Sequence, residues 1–176
     1  ALVFAAALCG CVTPGERLDA AAAAAGFTRR VIQGTEFRHV VYLGDLSAVG
    51  RGLMTREQVD AVHRRMVELL AASGARLDGV YVCPHAPGEG CSCRKPSPGM
   101  LLEAASQLGL DLSRSVMIGD SERDIEAGRA AGCDTIAVTS GKHSTPEIEA
   151  WETQADQTLQ DLTEASEWIL SAKGAP

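Results

Sequence analysis

Ser115-Val116-Met117-Ile118-Gly119-Asp120-Ser121-Glu122-Arg123-Asp124 decides the fold. Residues 115–118 form a continuous apolar run, the pattern of a parallel strand covered on both faces. The run ends in glycine and an acid, and a helix is predicted from about Glu122 to Ala131, stopped by Gly132. Thr135–Val138 reads as the next strand and Ser140-Gly141 as a loop. Upstream, Ser97 is a good N-cap and Pro98 a good first residue for a helix whose stripe is Met100, Leu101, Leu102, Ala105 and Leu108, closed by Gly109. Gly79–Val82 is a short buried strand. Before it, Thr55-Arg56-Glu57-Gln58 is a capping box opening a helix with Val59, Val62, Met66 and Leu69 on its apolar face and Gly74 at its end. Residues 144–155 read as partly helical, and Asp161–Glu164 caps a last helix through Leu170. Strand and helix alternate throughout. That alternation predicts an α/β fold, a Rossmann-like open parallel sheet with helices on both faces and ligands at the carboxyl ends of its strands.

Two groups of residues carry chemistry. Cys83, His85, Cys91 and Cys93 fall within eleven positions, and three thiolates with one imidazole can close a tetrahedral shell around zinc. Disulfide pairing with one thiol left over is the rival, although a cross-link needs no histidine and a C-x-C bridge is strained. Arg94 and Lys95 follow the last cysteine directly, as rigidly held cations suited to a phosphate. Asp120, at the mouth of a buried strand, and Asp124, one helical turn on, offer oxygens to Mg²⁺, and Lys95 would neutralise a phosphoryl group beside them. The plainer reading of these acids is an N-cap followed by a solvated first turn.

The chain has 176 residues, the length of one domain, a net charge of −7 and 4% aromatic residues. That balance speaks against nucleic acid as a partner, since it provides neither an excess of cations nor a stacking platform. Residues 1–11, ALVFAAALCGC, read as the h-region of a signal peptide, with Leu8-Cys9-Gly10-Cys11 resembling a bacterial lipobox in which Cys11 would be lipidated. A buried apolar strand or helix start is the alternative. Glu16–Ala25 reads as an Ala-rich helix, and Phe27–Val31 and His39–Leu43 as short strands.

From Cys83 to Cys133 the sequence resembles the zinc-bearing branch of the haloacid dehalogenase superfamily, whose members include heptose bisphosphate phosphatases and histidinol-phosphate phosphatases. The resemblance covers about residues 46–176. It implies a Mg²⁺-dependent phosphomonoester hydrolase acting on a small phosphorylated sugar, with D-glycero-D-manno-heptose 1,7-bisphosphate the first expectation and histidinol phosphate the alternative. It also implies structural Zn²⁺ on Cys83, His85, Cys91 and Cys93, and Mg²⁺ on Asp120 with Asp124 behind it. Lys95 and Asp120 would be catalytic, and Ser47, Arg51, Arg94, Lys95 and Ser121 would meet substrate.

Two departures accompany the resemblance. The family's first strand ends in D-x-D, whose first Asp attacks phosphorus, and no D-x-D occurs in residues 1–60. Its second motif, T-N-Q-S-G, aligns with Gly44-Asp45-Leu46-Ser47-Ala48, where only Ser47 matches and Asp45 belongs to a different strand from the nucleophile. Weak or absent hydrolysis follows from that loss. Residues 1–45 are therefore expected to be an atypical or foreign amino-terminal segment, and 46–176 an incomplete phosphatase domain. Either Ala1–Leu8 or Val40–Leu43 must fill the central slot of the sheet. The chain is expected to be a cytoplasmic monomer, with a zinc-stabilised lipoprotein module anchored through Cys11 as the non-enzymatic alternative.

Overall fold

The computed structural model of the protein describes residues 2–5 through their main chain, and residues 39–141 and 143–173. Six strands form one sheet: β1 (Leu2–Ala5), β2 (His39–Asp45), β3 (Gly79–Cys83), β4 (Val116–Gly119), β5 (Asp134–Val138) and β6 (Gln157–Leu159). Their order is β3-β2-β1-β4-β5-β6, and every pairing is parallel. The helices are α1 (Ser47–Gly50), α2 (Arg56–Ala72), α3 (Gly99–Leu108), α4 (Glu122–Ala130), α5 (Thr145–Glu149) and α6 (Leu162–Lys173), with a 3₁₀ turn at Leu112–Arg114.

Leu2–Ala5 takes the central slot, pairing Phe4 with Val41 on one side and Met117 on the other. Val40–Leu43 does not compete for that slot, because it lies within the neighbouring β2. The expected helix Glu16–Ala25, the strand Phe27–Val31 and the lipobox with Cys11 lie outside the described residues.

Strand periodicity sorts the core into two layers. Val116 and Ile118 of β4 pack with Ile136 and Val138 of β5 against Leu70 of α2 and Leu162, Ala165 and Ile169 of α6. Met117, one residue out of phase, faces the other way and packs with Val41 and Leu43 against Met100, Leu101 and Ala104 of α3 and Ala127 of α4. Each fully buried large aliphatic side chain contributes roughly 1.5–3 kcal/mol. The helices therefore cover both faces of the sheet, as the apolar run predicted.

Several sequence expectations shift by one position on a helix face. Val62 is exposed, and the buried stripe of α2 runs Val59, Met66 and Leu70, with half-buried His63 completing it against the ring of Tyr42 at 5.8 Å. Leu102 is exposed too, because Met100, Leu101 and Ala104 already fill the inward face of α3. Pro98 sits at the N-cap of α3 with no side-chain cap, one residue before its expected place, and Gly109 ends the helix in the left-handed conformation at φ 66°. The capping box of Thr55 and Gln58 forms as expected. β6 carries too little apolar pattern to be read from sequence, and α6 runs on to Lys173.

Candidate functional site

The carboxyl ends of β2, β3 and β4 gather the residues singled out for chemistry. β4 delivers Asp120, which is 8% exposed, and Ser121 then caps α4. The Ser121 hydroxyl donates to Asp124 Oδ2 at 2.6 Å and its N–H donates to the same oxygen at 3.2 Å. These bonds turn the other oxygen, Oδ1, toward Lys95 Nζ at 2.6 Å. The approach is an ion pair off the direction of a hydrogen bond, between two side chains that are both buried. Two glycines make the arrangement possible. A Cβ on Gly119 would collide with the Asp124 side chain, and a Cβ on Gly141, in the loop after β5, would collide with that of Asp120.

Lys95 is held at three points besides its position in the chain. Its Nζ also donates to the Leu43 carbonyl at 3.3 Å, and its backbone N–H donates to Asp45 Oδ1 at 3.4 Å. Leu46 N–H donates to the Cys83 carbonyl at 2.8 Å, so the end of β2 grips the loop 83–95 at both its first and last residues.

Within that loop the metal-ligating atoms of Cys83, His85, Cys91 and Cys93 lie within 4.8 Å of one another. Cys83 Sγ is 3.5 Å from both His85 Nδ1 and Cys91 Sγ, and His85 Nδ1 is 3.2 Å from Cys93 Sγ. A tetrahedral ion with Zn–S bonds of about 2.3 Å would set its sulfur ligands about 3.8 Å apart, so a modest outward adjustment suffices. Burial, followed by hydrogen bonding to Cys93, pushes the Cys83 thiol up to about 12. A bound divalent cation would reverse that, because it stabilises the thiolate. Cys83 is fully buried, and Cys91 and Cys93 pack against the α3 side of the core, so the three cysteines rest on the same layer that supports β2 and β3.

The other expected residues are placed more loosely. Arg94 Nη1 donates back to the His85 carbonyl at 3.4 Å, within its own loop. Arg51 is exposed and its Nη2 donates to Ser47 Oγ at 3.5 Å, which ties the two ends of α1 together after β2. Sequence reasoning set Asp45 aside because it cannot be the attacking group, yet it bonds Lys95 directly. The legible signal was an acid at the carboxyl end of an apolar strand, HVVYLGD. β1 ends at Ala5, paired with Ile118 two residues before Asp120, and Ala6, Ala7 and Leu8 that follow carry no carboxylate. A cavity of about 540 Å³ lies apart from this cluster, between α2 and the edge strand β3, lined by Arg56, Asp60, His63, Arg64, Val80 and Val82 among others.

A HAD-hydrolase-like family model matches residues 92–165, which run from the cysteine loop through β4 and α4 into α6. D-glycero-beta-D-manno-heptose-1,7-bisphosphate 7-phosphatase of Bordetella bronchiseptica is 34% identical over 131 residues, covering 74% of this chain and 73% of that protein. The chain belongs to the haloacid dehalogenase-like hydrolases. A second hydrolase of this family, the protein of the same name from Yersinia pestis, is 40% identical over 134 residues, with 72% of this chain and 71% of that one covered. Among solved haloacid dehalogenase-like structures, the D,D-heptose 1,7-bisphosphate phosphatase of B. bronchiseptica, complexed with magnesium and phosphate, superposes with a TM-score of 0.77 at 26% identity, covering 97% of each chain.

Proposed function

We propose that this chain is a phosphomonoester hydrolase by descent whose site receives D-glycero-beta-D-manno-heptose 1,7-bisphosphate. The observation that carries the reading is Lys95 Nζ, buried and 2.6 Å from Asp124, next in the fold to buried Asp120 at the mouth of β4. A cation and two acids in that position suit a phosphoryl group entering with a divalent metal. The relatives that bear this enzyme name support the choice of sugar over histidinol phosphate.

Each residue then has a task. Asp120 would hold Mg²⁺, and Asp124, fixed by Ser121, would orient the Lys95 ammonium. Bound Mg²⁺ would offset the charge on the phosphoryl oxygens. Lys95 would donate to a phosphoryl oxygen, with Arg94 contributing a second cation once it leaves the His85 carbonyl. Ser47 and Arg51, on the turn after β2, would meet the remainder of the sugar phosphate. Zn²⁺ on Cys83, His85, Cys91 and Cys93 would fix the loop that ends in Arg94 and Lys95; the thiolate-rich donor set and its spacing fit that ion.

Residues 46–176 would make up the phosphatase-family portion, completed by the two earlier strands of the same sheet. A reducing cytoplasm suits three thiolate ligands, and among the described residues no helix is long and apolar enough to cross a membrane. The missing D-x-D favours a second reading, in which the chain binds substrate and scarcely turns it over. Phosphate release from the heptose bisphosphate with Mg²⁺ separates the two. Turnover abolished by Asp120→Asn supports the enzyme, while Mg²⁺-dependent binding without release leaves the binding protein.

A further inference from the structure

Asp45 has a part in this site that neither the family pattern nor the relatives' names assign. It closes β2, stands beside Cys83 in the register of β2 with β3, and its Oδ1 accepts the backbone N–H of Lys95 at 3.4 Å. The adjacent Leu46 holds the carbonyl of Cys83, and Leu43 accepts from Lys95 Nζ. Leu43 and Asp45 of β2, with Leu46 just past its end, therefore fix the start of the cysteine loop, its last backbone amide and its terminal ammonium. The family motif aligned with Gly44–Ala48 has Asn at this place. An amide oxygen could accept the same bond, so what Asp adds is a negative charge.

We propose that Asp45 is a positioning residue for Lys95 and, through its charge, makes phosphate entry depend on a divalent cation; the second part rests on the phosphate-site reading above. At a given distance a charged acceptor holds a backbone N–H more firmly than a neutral one, so even across 3.4 Å the Asp45 carboxylate directs the Lys95 amide. At the same strand ends, Asp45 adds its charge to those of Asp120 and Asp124. A phosphate dianion approaching such a group is repelled until a cation enters with it.

The test uses the full chain loaded with zinc, comparing wild type, Asp45→Asn, Asp45→Ala and Lys95→Ala, each checked for an unchanged far-ultraviolet spectrum. Hydrogen exchange of the Lys95 amide reads positioning without any ligand, and calorimetric titration with inorganic phosphate, with and without Mg²⁺, reads charge. Asp45→Asn should keep the Lys95 amide protected and bind phosphate without Mg²⁺ on the order of threefold to tenfold more tightly. Asp45→Ala should speed exchange at Lys95 by about tenfold, the loss of a modest hydrogen bond, and weaken phosphate binding in Mg²⁺. Unchanged exchange in Asp45→Ala overturns the positioning role, and unchanged Mg²⁺-free affinity in Asp45→Asn overturns the charge role. If wild type and Lys95→Ala alike bind no phosphate even with Mg²⁺, the phosphate-site reading fails and takes the charge role with it, while the exchange result still decides positioning.

Discussion

Lys95 Nζ and Asp124 Oδ1 meet at 2.6 Å where neither side chain is more than 9% exposed. A pair taken this far from water is poorly tolerant of losing one partner, because the survivor stays charged and uncompensated. Lys95→Met should therefore cost about 3–5 kcal/mol. The Lys95→Met/Asp124→Asn double variant should recover a large part of that, as urea denaturation of the two will reveal. Additive losses would mean that the pair does not interact.

The cysteine loop predicts a proton-coupled metal. Cation binding must displace the proton from Cys83, whose thiol is held at about 12 in the metal-free protein. Zinc affinity should consequently rise steeply between pH 6 and 8, with protons released on binding, as competition with a chromogenic chelator will show. Cys91→Ser should weaken zinc binding by at least about tenfold.

Asp156, at the far edge of the sheet, should contribute to acid stability. Burial acts to raise its carboxyl, yet the Thr135 hydroxyl and backbone N–H, each at 2.8 Å, and Arg129 at 2.9 Å bring it below the usual value. A depressed acid contributes stability above its unfolded value of about 3.9, which is lost as pH falls through the lower folded value. Asp156→Ala should flatten the acid limb of stability against pH. At neutral pH it should cost about 1–3 kcal/mol, because buried Thr135 loses its acceptor. An unchanged acid limb would count against this linkage.

Cys133 gives the opposite sign. Burial, followed by the nearby charge of Asp134, pushes its thiol up to about 12. A raised value contributes fully below the unfolded thiol value of about 8.5 and is lost as pH climbs toward the folded one. In the zinc-loaded protein, Cys133→Ala should reduce the fall in stability between about pH 8.5 and 10, measured by thermal unfolding.

Gly119→Ala should damage the site directly. Its new methyl would run into the Cβ of Asp124, which is locked by Ser121 and cannot retreat. Overpacking of this kind costs about 1–3 kcal/mol, and Lys95 would lose its partner geometry as well. Chemical denaturation of Gly119→Ala against a solvent-facing control such as Gly88, where φ is +91° but the space is open, separates crowding from backbone strain.

Much of this architecture was legible because it depends on local pattern. The apolar run before Asp120, the Thr55 capping box and the terminating glycines each specify their element with little help from elsewhere. The cysteine spacing likewise brought four ligands together without any long-range inference. What sequence missed depends on tertiary contact. Val62 and Val59 are equally apolar, and the rotation of α2 is set by contacts from elsewhere in the fold, Leu70 and Met66 on the sheet core and His63 beside the Tyr42 ring. Leu102 looked as buried as Leu101 because periodicity does not say how wide the inward face of α3 is. Asp45 was legible as a departure from a motif, whereas its bond to Lys95 spans fifty positions and had no local signal.

The place of β1 also orders events in time. Leu2–Ala5 is flanked by β2 and by β4, whose residues 116–119 are made more than a hundred positions later. During synthesis β1 can pair with β2 first, and its other edge stays open until β4 has left the ribosome. Such distant parallel pairings form slowly and leave hydrophobic edges exposed meanwhile. Nascent chains stalled before Val116 should therefore depend on chaperones, because the sheet closes around β1 only once β4 has been made.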